Sequence, residues 1–397
     1  MPTNNPLLDD IFHSNQAKIE EWFAQEWQKT PPPFYSSVDL RNAGFKLAPV
    51  DTNLFPAGFN NLSADDFARA VAATQDAIKC ICPEVKRLLL IPESHSRNIF
   101  YFESLAVLFG ILSAAGYETR LGSLDENLTS AFEPELPSGR KIKIEPLLRQ
   151  NNQVGVPGFF PCCIILNNDL SAGIPTILEN LNQQRIMPSA QLGWFNRLKS
   201  QHFRFYELVA EEFAKAFEFD SWLINPYFDQ CPEVDFMKQG GQDCLIRNAN
   251  TLLKKIQLNY EKYKITDKPF LAIKADAGTY GMAVMMIDNP ENLSSLNRKE
   301  RTRMSTSKGG KAVTKAFIQE GVPTRELTKD GKTAETVVYL MGRQVVGGFY
   351  RVHEGRGDNE NLNAPGMYFE AMQPNYSENI IARLAALAAA RELANII

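Results

Sequence analysis

Residues 269–287 read PFLAIKADAGTYGMAVMMI, two apolar runs around a loop that carries Gly278 and Gly281. Strand alternation puts Lys274 on one face with Phe270 and Ala272, so one ammonium points at whatever the loop covers. Lacking Cβ atoms, the two glycines let main-chain N–H groups come close to an anion, and phosphate is the anion this pattern suits. An ordinary hairpin with an edge lysine that resists strand pairing fits the same residues. The stretch is not a Walker loop, because no GKS or GKT follows, and it is not GxGxxG.

Around this hairpin the chain is long and unremarkable in bulk. Its 397 residues, 44% hydrophobic and 22% charged, allow two or three domains with real cores. A net charge of −4 supplies no basic surplus for a nucleic-acid backbone, though a few placed cations suffice for a small anion. The opening MPTNNPLLDDIF has no basic start followed by an apolar core, and the apolar stretch near the C-terminus is broken by Arg383 and Arg391. These features predict a cytoplasmic protein with neither secretory signal nor membrane span. Six cysteines occur as CxC, CC and isolated residues, which predicts free thiols, and the four histidines show no metal-binding spacing.

Four segments follow from the patterning. Residues 1–35 form a helical arm or packing helix, with Trp22, Phe23 and Trp27 on one face and Pro31 to Pro33 ending it. Residues 36–189 form an α/β domain. It opens with a stretch rich in Asn, Asp, Gly and Pro, VDLRNAGFKLAPVDTNLFPAGFNNL at 38–62, that reads as a long surface loop. A helix to Lys79, LLLIP at 88–92, an apolar helix over 98–116 and a strand from Tyr117 then alternate as in a mainly parallel sheet. Ligands of such sheets sit at the carboxyl ends of strands, where LLLIP runs into Glu93, Ser94, His95, Ser96, Arg97 and Asn98 and CIIL at 163–166 ends in Asn167, Asn168 and Asp169. Each strand end also reads as a plain loop with a helix cap. Residues 190–268 are mostly helical, and 269–397 return to strands before an alanine-rich helix from Glu378. The loop at 305–311, STSKGGK, is expected to be mobile.

The order of elements in the last third resembles the ATP-grasp ligases, the glutathione synthetase branch in particular. It runs from a lysine strand and glycine hairpin to a strand ending QEGV, a hairpin turning at Met341 and Gly342, Arg351 on the next strand, and the Asn-rich NLNAPG at 361–366. A closer resemblance, covering Val38 to the end, is to a small proteobacterial family of glutamate-cysteine ligases. It rests on VDLRNAGFKLAPVDTNLFPAGFNNL, IPESHSRNIFYFESL, GWFNRLKSQHF, IKADAGTYGMAVM and GGFYRVHEGRGDNENLNAPGMYFE, in that order. The resemblance implies an α/β protein, α+β in its C-terminal part, with an ATP-grasp-like fold behind an N-terminal α/β domain.

By that resemblance Lys274, Gly278, Thr279, Tyr280 and Gly281 hold the phosphates of ATP, with Arg351 and Asn361, while Gln319, Glu320 and Val322 meet the adenine. Lys274 and Arg351 are its catalytic cations, with Arg356 and Lys311 as further phosphate contacts. Glutathione synthetases carry a Glu-x-Asn metal pair on a strand after their last helix, which this chain lacks. Mg²⁺ ligands are therefore sought among Glu335, Glu354, Asp358 and Glu360, with Asn361 and Asn363 as neutral partners. The implied reaction phosphorylates the γ-carboxylate of glutamate and lets the cysteine amine displace phosphate, a step that needs cations against the triphosphate but no enzyme nucleophile.

Glutamate itself calls for a fork such as Arg41 or Lys46 on its α-carboxylate and Asp51, Asn53 or Glu93 on its ammonium, with Arg97 and Asn98 nearby. Trp194, Arg197 and His202 are further candidates, a packing role for His202 being equally open. Another carboxylate–amine ligase and a nucleotide sensor without catalysis remain as alternatives.

Overall fold

The structure is a computed structural model and describes residues 5–94, 98–238, 240–278, 283–306, 310 and 312–395. Expectations for His95, Ser96, Arg97, Thr279, Tyr280, Gly281 and Lys311 lie outside the described residues. Two helices open the chain, α1 (Pro6–Ser14) and α2 (Gln16–Lys29), and both are packed rather than projecting. Leu8, Phe12, Ile19 and Phe23 are fully buried, and Phe12 and Phe23 meet Phe213 ring to ring.

The stretch expected as a surface loop is instead largely a buried β-hairpin, β1 (Tyr35–Asn42) and β2 (Leu47–Asn53). The Asn, Asp and Gly residues that signal turns lie at its bend and along one polar face, while Val38, Leu40 and Leu47 alternate onto the core. Next comes the predicted α/β unit. It contains α3 (Ala64–Ile81), β3 (Arg87–Pro92), α4 (Ile99–Ala114), β4 (Glu118–Ser123), β5 (Ile144–Pro146), a small ribbon of β6 (Leu148–Gln150) and β7 (Gln153–Gly155), β8 (Cys163–Asn167) and β9 (Arg185–Met187). The sheet order is β5-β4-β3-β8-β9 and every pairing is parallel. Its central strands bury Leu88 to Ile91 and Cys163 to Leu166 on both faces, as helix-covered parallel sheets do.

The remainder runs through α5 (Lys199–Ala216), β10 (Phe228–Cys231), α6 (Gln242–Lys262), β11 (Leu271–Ala275), β12 (Val284–Ile287), α7 (Arg298–Ser305), β13 (Ala316–Glu320), β14 (Ala334–Met341), β15 (Gln344–Val352), β16 (Tyr368–Met372) and α8 (Tyr376–Ala394). The glycine hairpin is real: β11 and β12 pair antiparallel and sit in a four-stranded sheet of order β10-β13-β11-β12. A second antiparallel sheet has the order β16-β15-β14-β1-β2, so strands from both ends of the chain complete it. The two-residue turn joining β14 to β15 places Gly342 at φ 56°, a conformation glycine adopts without a Cβ penalty.

Helix α8 lies against this second sheet and against α5, with Ile380, Ile381 and Leu384 to Ala390 buried on all sides. A helix apolar all round belongs in an interior, and this one is central to the largest core. Among the described residues no helix is long and apolar enough to cross a membrane.

Candidate active site

The two antiparallel sheets face each other across a slot. From the four-stranded sheet come Ala272, Lys274, Val284, Met286 and Gln319, which register places on one face: Lys274 opposite Val284, and Ala272 opposite both Met286 and Gln319. From the five-stranded sheet come Asp39, Arg41, Asp51, Glu335 and Arg351, again by register, with Asp39 opposite Asp51 and Glu335 opposite Arg351. Gly278, at the exit of β11, holds φ 114° and also lines the slot. The slot itself encloses about 70 Å³ and opens at both ends.

One end meets a cleft of about 820 Å³, formed where the five-stranded sheet approaches the carboxyl ends of β3 and β8. Asn53, Asn98, Tyr101, Asp169 and Phe349 line it, and Asp39, Asp51, Arg351 and Asn363 belong to slot and cleft alike. The other end opens into a wider space of about 1040 Å³ past Val284, Met286, Asn361 and Asn363.

Charges in the slot are interlocked. Lys274 Nζ donates to the Val50 carbonyl at 2.7 Å and to Gln319 Oε1 at 2.8 Å, and burial, against the pull of Asp51, lowers its pKa to about 8. Asp51 accepts from Lys199 Nζ at 2.8 Å. Burial pushes its carboxyl up, but Lys199 and Lys274 outweigh that and hold it at about 2. Glu335 takes Arg41 Nε at 2.6 Å on one oxygen and Arg351 Nη1 on the other. Burial raises its pKa, yet the two guanidiniums bring it below the usual value. Asp39 pairs with Arg351 Nη1 at 2.7 Å; burial, reinforced by Glu335 and Asp51, still leaves its pKa raised. Two buried donors on the slot have no partner among the described residues: Gln319 Nε2 and Arg351 Nε.

Most predicted residues converge here. Lys274, Gly278, Gln319, Glu320, Val322, Arg351, Asn361, Arg41, Asp51, Glu335 and Asn363 all line the slot, and Asn53 and Asn98 line the adjoining cleft. Several predicted residues are engaged within the protein. Lys46 lies in neither; it is 1% exposed, sits 2.8 Å from Glu320 and lies over the Trp222 ring. Glu320 also accepts from Trp222 Nε1 and the Tyr227 amide, so its carboxylate anchors the slot wall.

Arg41 spends its donors inside the protein, on Glu335 and on the carbonyls of Val322, Asp358 and Glu360, and so ties down the Asn-rich loop. Glu93 accepts from the Asp169 amide at 2.9 Å, and Asn98 caps α4. Arg197 and His202 form a buried cluster with Glu392 of α8, His202 Nδ1 lying 3.1 Å from Glu392 Oε2. Glu360 is exposed and accepts from the Gly357 amide at 2.8 Å, away from Glu335 in its double ion pair. Among the described residues no group of three or more His, Cys, Asp or Glu side chains is placed to hold a metal.

Two charged slot residues escaped the sequence reading. Asp39 stands two residues before Arg41, so strand alternation alone puts both on one face, but a loop reading of 38–62 hides that periodicity. Lys199 opens α5, 4.4 Å over the Trp194 ring, and comes to Asp51 only through tertiary packing.

Sheets, slot and adjoining cleft define a mixed α/β protein with two spaces that meet at one charged junction. The model of the glutamate-cysteine ligase family, GshA, matches residues 9–393, and the chain belongs to that family. It is thus an ATP-dependent ligase that joins glutamate to cysteine, the first step of glutathione biosynthesis. A crystal structure of a candidate gamma-glutamylcysteine synthetase from Methylobacillus flagellatus KT is 45% identical, covers 99% of this chain and 97% of its own, and superposes with a TM-score of 0.91.

Far weaker likenesses extend to D-cycloserine synthetase DcsG, with 11% identity, 77% of this chain and 82% of that one, at a TM-score of 0.40. A glutathione synthetase-like effector, GSS30, from Globodera pallida shares 10% identity over 92% of this chain and 79% of its own, also at 0.40. No curated protein gives a significant match.

Proposed function

We propose that the slot between the two antiparallel sheets holds ATP in an ATP-grasp-like manner, that the adjoining cleft holds glutamate and cysteine, and that phosphoryl transfer takes place where the two meet. The observation that carries this reading is the shared wall: Asp39, Asp51, Arg351 and Asn363 face both spaces, so a γ-phosphate in one can reach a carboxylate in the other. Lys274 and Arg351 stabilise charge that develops on the transferring group, and Lys199 joins them. Gln319 Nε2, without a partner among the described residues, suits an acceptor on the base edge. These donors fit a nucleotide. The slot is narrower than an ordinary small-molecule site, so loading requires the two sheets to part.

In the proposed sequence the glutamate γ-carboxylate attacks the γ-phosphorus, giving an acyl phosphate and ADP. The cysteine amine then attacks the acyl carbon and inorganic phosphate leaves. Holding both amino acids beside the nucleotide converts encounters into intramolecular steps, an effect reaching roughly 7 to 11 kcal/mol in ideal cases. A divalent cation, when bound, neutralises phosphate charge. Small-molecule substrates of this kind suit a cytoplasmic enzyme of metabolism.

The decisive experiment follows positional oxygen exchange. With glutamate labelled by ¹⁸O in its γ-carboxylate, one label should appear in inorganic phosphate only when ATP, glutamate and cysteine are present. Phosphate free of label would exclude the acyl phosphate.

A further inference from the structure

We propose that Asp39 and Asp51, opposite each other across the β1–β2 hairpin, are the ligands of the divalent cation that accompanies the nucleotide. The inference rests on the slot being the nucleotide site and names which of its carboxylates meet the metal. Among the described residues they are the only two acidic side chains that line both the slot and the adjoining cleft. The other acidic groups on the slot are committed elsewhere. Glu335 is held between Arg41 and Arg351, and Glu320 by Lys46, Trp222 and the Tyr227 amide.

Each carboxylate meets a cation, Asp51 at Lys199 and Asp39 at Arg351, and so offsets positive charge that an anionic substrate would otherwise meet. A phosphate and a glutamate carboxylate must approach each other there, and each would be repelled by Asp39 and Asp51. A divalent cation between them reverses the sign of the interaction. Carboxylate oxygen is the donor that Mg²⁺ prefers, and Mg²⁺ is commonly held by one or two carboxylates together with phosphate oxygens and water. That coordination needs no protein group of three acids, in keeping with there being none among the described residues.

A separate observation marks the same place as a ligand site. Arg351 is 8% exposed, lines slot and cleft alike, and has in its Nε a nitrogen without a partner among the described residues. Buried donors left open in this way are satisfied by an acceptor supplied from outside the chain. Behind the two carboxylates, Lys199 on Asp51 Oδ1 and Arg351 on Asp39 fix their orientation, as outer partners of metal ligands do. Of the metal ligands expected from the resemblance, Glu335 is held in a double ion pair and Glu360 is exposed, while Asn361 and Asn363 line the slot.

The test uses the full chain with Mn²⁺ as the probe and a non-hydrolysable ATP analogue, free Mn²⁺ being read by electron paramagnetic resonance. Asp51→Asn and Asp39→Asn should each weaken Mn²⁺ binding to the protein–nucleotide complex by about tenfold or more. Glu360→Gln should leave it within twofold. Nucleotide binding in the presence of chelator should be unchanged or tighter in Asp51→Asn, which loses a negative charge.

Asp39→Asn also disturbs the Arg351 ion pair, so Asp51→Asn, checked by its melting curve, decides the matter. Unchanged Mn²⁺ affinity in a folded Asp51→Asn protein overturns the proposal, as does a loss confined to Glu360→Gln. An Asp51→Asn protein that keeps Mn²⁺ affinity but needs far more glutamate would assign Asp51 to the substrate ammonium instead, and would equally overturn it. If the analogue fails to bind the unaltered protein at all, the nucleotide reading of the slot falls first.

Discussion

At the scale of single residues, Lys274 is a half-buried cation that loses part of its hydration. Its pKa of about 8 means that it is mostly charged at neutral pH and loses its proton as pH rises through that value. Affinity for ATP should therefore hold steady from pH 6.5 to 7.5 and fall above about 8, approaching tenfold per unit for one proton. Binding isotherms across that range check this, and a flat profile would remove the lysine from the phosphates. Lys274→Ala should lower kcat/KM for ATP by about 100-fold with an unchanged melting temperature, the scale typical of losing one charge-stabilising donor.

Lys46 is the counter-example. Removing one partner of a buried ion pair leaves the other uncompensated, so Lys46→Ala should destabilise the fold by about 3 to 5 kcal/mol. The loss will show in chemical denaturation, without a selective rise in the glutamate KM.

At the scale of elements, α8 starts with a capping box in which Asn375 accepts from the Glu378 amide and Glu378 accepts from the Asn375 amide. Glu378 also receives the Thr336 hydroxyl, and burial raises its pKa to about 7. The folded value lies above that of the free side chain, so the folded state binds more protons and stability falls as pH climbs from about 4.5 to 7. Glu378→Gln keeps a capping amide and removes the titration. Its melting temperature should exceed that of the unaltered protein at pH 8 and match it near pH 4.5. Parallel pH curves for the two proteins would refute the assignment.

The whole molecule depends on contacts between its two ends. The hairpin of β1 and β2 pairs with β14, and α8 packs on β2, β1 and α5. A fragment of residues 190–395 would lack the strands that cover β14 and would leave Glu335 and Arg351 without Arg41 and Asp39. Such a fragment should show no cooperative thermal transition, whereas the full chain melts in one; differential scanning calorimetry of both distinguishes the outcomes. Cooperative melting of the fragment would mean that the hairpin is dispensable to the fold.

Local pattern was enough for the glycine hairpin, the parallel unit and the lysine on its strand, because periods of two and 3.6 residues and the placing of Gly and Pro act over a few neighbours. Gln319, Arg351 and Asn361 were grouped by the family resemblance rather than by local pattern, and the three line one slot. Other features arose only on folding. Polar residues in 38–62 read as a loop because strand residues facing a charged slot carry the same side chains as turns. Lys46 and Arg41 look like free cations until Glu320 and Glu335, nearly 300 residues away, claim them. Closing the slot with Asp39 and Asp51 requires a strand pairing between the two ends of the chain, and no short-range signal encodes which distant edge a hairpin will join.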